Sequence, residues 1–160
     1  MSAVAFSPEA LAEYEAAVRR YPERRAALMP VLWLAQREFG HLSDEVMGYV
    51  ARLLGLPPAW VASVASFYTM YYKRPMGRYH LQVCVSLPCA LAGAEGIRRC
   101  LERRLGIGVG ETTGDGRFSL SAVECLASCG TGPMMQVNDD YHENLDEART
   151  LALVDRLGRE

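Results

Sequence analysis

Apolar residues recur every three or four positions through the first half of the chain, which is the spacing of amphipathic helices. Ser7-Pro8 precedes the first segment, and serine caps helices while proline suits their first position. The second segment contains Pro30, which is expected to kink the helix or to shift its start. The sequence predicts four helices, from Ser7 to Arg20, from about Arg24 to Phe39, from Ser43 to Gly55, and from Pro57 through Val64.

Beyond Arg78 the pattern changes to short runs of strand-forming residues separated by turn signals. Strands are predicted at 79–85, 118–124, 133–138 and 141–145, and helices at 88–105 and 146–157. The order strand–helix–strand–strand–helix matches a thioredoxin-like α/β sandwich. We therefore predict an α/β chain with two domains: a helical domain with its linker at 1–76, and a domain with a mixed sheet of about four strands at 77–160.

Composition and charge narrow the class of protein. The chain has 160 residues, a net charge of −2 and no basic cluster, which argues against nucleic acid as the partner. The N-terminus has no recognisable signal peptide, and the longest apolar run is too short to span a bilayer. We expect a cytoplasmic protein without direct membrane insertion, in which clustered cysteines more often bind metal than form disulfides.

Four of the five cysteines form two close pairs in predicted loops. Cys84 and Cys89 have four residues between them, and Cys125 and Cys129 have three. An iron–sulfur cluster needs thiolates because a soft anionic sulfur bonds iron and offsets the positive charge of the core. Two loops that each supply two thiolates predict a 2Fe–2S cluster held by these four residues.

The predicted surroundings of the pairs also suit bound thiolates. Cys89 is expected at a helix N-terminus, where the helix dipole favours an anionic sulfur. Gly130 and Gly132 follow the second pair, and glycine is expected to let the backbone come close to the sulfurs.

Other interpretations of the cysteines stay open at this point. Structural zinc would use the same four ligands, although its usual spacer is two residues. The cysteines would otherwise be buried small hydrophobes, and the C-x4-C-x2-C spacing of plant-type ferredoxins does not occur. Cys100 is predicted inside a helix as a core thiol. No histidine is assigned as a ligand, since none lies near either pair in sequence: His41, His80 and His142.

Several motifs resemble one family, the small thioredoxin-like ferredoxin subunit of respiratory complex I, which is NADH:quinone oxidoreductase. Asp-Gly-Arg-Phe-Ser at 115–119 and Cys-Leu-Ala-Ser-Cys-Gly-Thr-Gly-Pro at 125–133 carry most of the resemblance, and the segments 64–71, 80–84 and 137–141 extend it. It covers the chain from about Arg24 to Leu157. One departure is Ala127, where the family signature has glycine. The methyl group is expected to crowd the backbone near the cluster, but it removes no ligand.

The resemblance implies an N-terminal helical bundle followed by a thioredoxin-like ferredoxin domain that carries one 2Fe–2S cluster and no catalytic residue. It implies an electron-transfer subunit that packs against the flavoprotein subunit binding FMN and NADH, within the peripheral arm on the cytoplasmic side of a bacterial inner membrane. The alternative is the equivalent subunit in the diaphorase module of an NAD-linked hydrogenase or formate dehydrogenase. A structural zinc or scaffold module is a further alternative.

Overall fold

The structure, a computed structural model, describes residues 4–159, which fall into two compact units divided between Pro75 and Met76. The first unit is helical. Its α-helices are α1 (Pro8–Val18), α2 (Leu28–Phe39), α3 (Asp44–Leu54) and α4 (Pro58–Phe67), with a 3-10 helix at Arg24–Ala27. Their apolar faces form one core, which the segment after α4 joins through the fully buried Tyr71.

Capping residues and proline set the helix bounds of this unit. The Ser7 hydroxyl accepts a hydrogen bond from the backbone N–H of Ala10 at 3.2 Å and caps α1 as predicted. Pro30 lies in the first turn of α2, where a missing N–H costs no intrahelical bond. The α-helix therefore begins at Leu28, and only a 3-10 turn precedes it, so the predicted shift of its start is confirmed.

The second unit is a four-stranded mixed sheet with three α-helices. Its strands are β1 (Tyr79–Cys84), β2 (Phe118–Val123), β3 (Met135–Val137) and β4 (Asp140–His142), and its helices are α5 (Leu87–Leu91), α6 (Ala94–Leu105) and α7 (Glu147–Leu157). The strand order is β2-β1-β3-β4, with β1 and β2 parallel and the other two pairings antiparallel. The predicted α/β class is confirmed. No helix within residues 4–159 is both long and apolar enough to cross a membrane.

The sheet register brings three loops to one edge. Cys84 ends β1 opposite Val123, which ends the parallel strand β2. β3 runs the other way and starts at that edge, since Met135 pairs with Val83. The loop after β1, the loop after β2 and the segment entering β3 therefore meet at the carboxyl ends of β1 and β2.

The single helix predicted at 88–105 is wrong, because the structure has two helices there. Gly93 has a φ of +103°, a conformation that residues with a side chain rarely adopt, and it separates α5 from α6. Leu91, the last residue of α5, is 80% exposed. Cys89 is the third residue of the five-residue α5, so it lies in the first turn of a short helix.

Candidate metal centre

All four cysteines of the two predicted pairs lie at the edge of the sheet formed by the carboxyl ends of β1 and β2. Cys84 ends β1, Cys89 lies in α5, and Cys125 and Cys129 lie in the loop between β2 and β3. Cys84 and Cys89 are each 2% exposed, whereas Cys125 and Cys129 are exposed. The site thus has a buried pair and a surface pair.

The thiols form two interacting pairs, which also interact with each other. Cys84 interacts with Cys89, and Cys125 interacts with Cys129. Cys129 also interacts electrostatically with Cys84 and Cys89, so the surface pair lies near the buried pair. Among residues 4–159, no three His, Cys, Asp or Glu side chains form a compact group that could hold a single metal ion. The arrangement in the described chain is therefore two pairs rather than one tight tetrad.

The Cys84 sulfur lies among hydrogen-bond donors. Burial acts to raise the pKa of the Cys84 thiol, but donors around the sulfur outweigh burial and lower it. These donors are the backbone N–H of Leu126, the backbone N–H and hydroxyl of Ser86, and the Cys89 thiol. Such donors stabilise an anionic sulfur, and a metal-bound cysteine is a thiolate.

The other two perturbed thiols of the pairs shift in the opposite direction. Burial raises the pKa of Cys89, and the neighbouring Cys84 raises it further, while the backbone N–H of Met134 opposes both. The charge of Cys125 is the main cause that raises the pKa of Cys129, followed by burial. Each pair therefore resists carrying two bare negative charges, which a positively charged metal centre would offset.

The loop around Cys125 has a strained backbone at the position where the family signature has glycine. Ala127 has a φ of +62°, in the left-handed region that costs a residue with a side chain about 1–2 kcal/mol. Its backbone N–H donates a hydrogen bond to the Cys125 sulfur at 3.3 Å. The expected crowding by the methyl group therefore takes the form of a backbone strain beside a ligand candidate.

An added side chain would be crowded at one of the two predicted glycines of this loop. A Cβ added at Gly132 would lie 3.3 Å from the Cys89 sulfur, whereas one added at Gly130 would meet no atom within 4 Å. The predicted close approach to a sulfur is therefore found at Gly132, and for Gly130 it stays a prediction. Gly132 forms a cradle for the buried pair, and its peptide bond to Pro133 is cis.

The segment that includes and follows β4 anchors the cysteine loop. The Tyr141 hydroxyl donates to the carbonyl oxygen of Leu126 at 2.8 Å. The hydroxyls of Ser128 and Thr131 both donate to the Glu143 carboxylate, with 2.6 Å between Thr131 and Glu143. These two bonds lower the pKa of Glu143. The anchoring roles of Tyr141 and Glu143 were not predicted from the sequence; the tyrosine within the 137–141 motif was the available signal.

Cys100 and His80 are both buried, each in an environment of its own. Cys100 is in α6 and 3% exposed, and burial is the main cause that raises its pKa, with Glu147 adding to it. His80 is buried in β1 and its Nε2 lies 2.7 Å from the Ser121 hydroxyl. The expectation of a core thiol at Cys100 agrees with this burial.

The residues at this edge fit a two-iron cluster better than a single ion. A 2Fe–2S cluster takes four cysteine thiolates, two on each iron, and the chain offers two pairs. The backbone N–H of Ala127 donates to the Cys125 sulfur, and backbone N–H groups act to lower the pKa of Cys84 and of Cys89, as suits metal-bound thiolates. Because Gly132 has no side chain, it leaves room beside the Cys89 sulfur of the buried pair.

Comparison with known families agrees with this donor set. The sequence model described as thioredoxin-like [2Fe-2S] ferredoxin matches residues 14–158. A Rhizobium meliloti protein, named as a subunit of NADH-quinone oxidoreductase, is 52% identical over 143 residues, which cover 89% of this chain and 85% of that protein. A Thermus thermophilus protein named NADH-quinone oxidoreductase subunit 2 is 51% identical over 138 residues, covering 84% of this chain and 76% of that one.

Solved structures show the same fold in a larger chain. A chain of the NAD+-reducing [NiFe]-hydrogenase in the air-oxidized state superposes with a TM-score of 0.74 at 24% identity. The match covers 87% of this chain and 24% of the hydrogenase chain, so this protein spans about a quarter of that one. At this identity the likeness concerns the fold alone.

Proposed function

We propose that this chain, which belongs to the thioredoxin-like [2Fe-2S] ferredoxin family, is the electron-carrying subunit of an NADH-quinone oxidoreductase. The observation that carries the proposal is the meeting of two cysteine pairs at one sheet edge. The assignment to this complex rests on the relatives that are named as its subunits. We propose no substrate site on this chain and assign catalysis to the complex as a whole.

The four cysteines are the proposed ligands of one 2Fe–2S cluster. A bound 2Fe–2S cluster supplies one-electron oxidation and reduction. Cys84 and Cys89 hold the buried side of the site, and Cys125 and Cys129 hold the side that faces solvent. The backbone N–H groups of Leu126 and Ala127 stabilise negative charge on the sulfurs, which favours the reduced form.

The surface pair gives electrons a short route to a partner. Cys125 and Cys129 are exposed, and the neighbouring α5 presents Leu87 and Leu91 at 70% and 80% exposure. An apolar surface beside a redox site suits docking of another protein. The proposed partner is the subunit that binds FMN and NADH, with other peripheral-arm subunits, on the cytoplasmic side of the membrane.

The two parts of the chain have different proposed roles. Residues 77–160 contain all four proposed ligands and form the 2Fe–2S domain. Residues 1–76 form a helical domain with its linker, and no ligand of the cluster is proposed there.

Native anaerobic co-purification followed by reduction with NADH tests this function. We expect a flavoprotein subunit to accompany the chain, and NADH to elicit one 2Fe–2S EPR signal that Cys125→Ser abolishes or alters and Cys100→Ser leaves unchanged. Co-purification with a hydrogenase or molybdenum subunit would instead assign the chain to the diaphorase alternative. Colour and assembly that do not respond to Cys125→Ser would support a scaffold module.

A further inference from the structure

One peptide group of the cysteine loop is held by hydrogen bonds at both ends. The carbonyl oxygen of Leu126 accepts from the Tyr141 hydroxyl at 2.8 Å. The N–H of the same peptide group belongs to Ala127 and donates to the Cys125 sulfur at 3.3 Å. A continuous chain of polar groups therefore runs from the Tyr141 hydroxyl to a proposed ligand.

In this series of hydrogen bonds, the bond from the Tyr141 hydroxyl strengthens the bond from the Ala127 N–H to the Cys125 sulfur. When the carbonyl of a peptide accepts a hydrogen bond, electron density moves toward oxygen and the N–H becomes a better donor; cooperative strengthening is of order 10–30% per bond. A stronger N–H donor to a ligand sulfur stabilises the more negatively charged, reduced state of an iron–sulfur centre. The Tyr141 hydroxyl is thus placed to raise a reduction potential without touching a sulfur.

The peptide also depends on Tyr141 for its orientation. Ala127 adopts a φ of +62°, against the preference of a residue with a side chain, so the loop needs contacts that hold this peptide in place. Tyr141 supplies one from a fixed position, because it lies in β4 and pairs with Gln136 of β3.

We propose that Tyr141 is a positioning residue that sets the reduction potential of the centre through the Leu126–Ala127 peptide and the Cys125 sulfur. The proposal rests on the proposed function, in which Cys125 is a ligand of a 2Fe–2S cluster. Phenylalanine at this position would keep the ring and remove the hydroxyl that donates to the peptide oxygen.

The experiment is an EPR-monitored redox titration of anaerobically purified Tyr141→Phe, with Tyr14→Phe as the matched control. Tyr14 donates an equivalent hydrogen bond, at 2.7 Å, to the carbonyl oxygen of Leu53 in the first unit. We expect Tyr141→Phe to shift the reduction equilibrium about threefold toward the oxidised form, which is ~30 mV lower at 59 mV per tenfold. Tyr14→Phe should keep the wild-type potential.

The outcomes separate this proposal from the proposed function. A wild-type chain without a 2Fe–2S signal would refute the function itself. An intact cluster with the wild-type potential in Tyr141→Phe would overturn the role of Tyr141 alone. If Tyr141→Phe does not retain the cluster, amide hydrogen exchange of Ala127 in the metal-free proteins decides: faster exchange in the variant supports the proposal, and an unchanged rate contradicts it.

Discussion

Gly132→Ala tests whether the buried cysteine pair needs the space that glycine leaves. The new Cβ would lie 3.3 Å from the Cys89 sulfur, against an optimum near 3.5–4.0 Å for carbon contacts. Gly132 has a φ of −70° and a ψ of 158°, which alanine also adopts, so the backbone adds no strain. Overpacking of this kind costs about 1–3 kcal/mol. That cost corresponds to roughly 5–150-fold in an equilibrium constant, at 1.4 kcal/mol per tenfold.

Gly130→Ala is the matched control in the same loop, because apart from its two chain neighbours no atom lies within 4 Å of the added Cβ. Both substitutions restrict the unfolded chain similarly, so that effect cancels between them. The assay is the anaerobic rate at which a ferrous chelator removes iron, followed by visible absorption. We expect Gly132→Ala to lose iron at least about fivefold faster than Gly130→Ala, which should match the wild type.

Equal rates of iron loss in two folded variants would refute the claim that the site needs the space beside Cys89 that Gly132 leaves. Urea unfolding of the metal-free proteins confirms that both fold. If Gly132→Ala is folded and holds iron as well as Gly130→Ala does, then the Cys89 sulfur does not need its observed position to bind the cluster.

Two further substitutions test the loop. Ala127→Gly removes the strain of a φ of +62° and should stabilise the second unit by about 1 kcal/mol in urea, after the larger unfolded-state entropy of glycine is subtracted; a lower unfolding midpoint would contradict this. Hydrogen bonds from Ser128 and Thr131 lower the pKa of Glu143, so its contribution to stability is present above the ordinary glutamate pKa and is lost as pH falls through the lowered value. Glu143→Gln should therefore lower the free energy of unfolding at neutral pH and match the wild type in acid. An equal loss of stability at both pH values would contradict a contribution from the charged carboxylate.

Local signals in the sequence were enough to predict most of the fold. Ser7 and Pro30 act within one helical turn, so the caps and the shifted start of α2 follow from neighbouring residues alone. The run of strand-forming residues from Tyr79 onward likewise predicts a strand without any knowledge of its partners. The two cysteine pairs are close in sequence, and their pairing in space needs only the parallel arrangement of β1 and β2.

Features that depend on distant contacts were not predictable in this way. An isolated glycine such as Gly93 costs a helix only about 1 kcal/mol, so periodicity continued the predicted helix through it. Its φ of +103° is what separates α5 from α6. The anchoring of Leu126 by Tyr141, fifteen residues later, depends on the β3–β4 register and on a backbone oxygen, which has no sequence signature.

The content of iron, zinc and acid-labile sulfide in the anaerobically purified chain tests the central claim most directly. Four thiolates arranged as two pairs should hold one cluster, so we predict two irons and two sulfides per chain with no stoichiometric zinc. One zinc per chain, without iron or sulfide, would contradict the account and assign the cysteines to a structural zinc site.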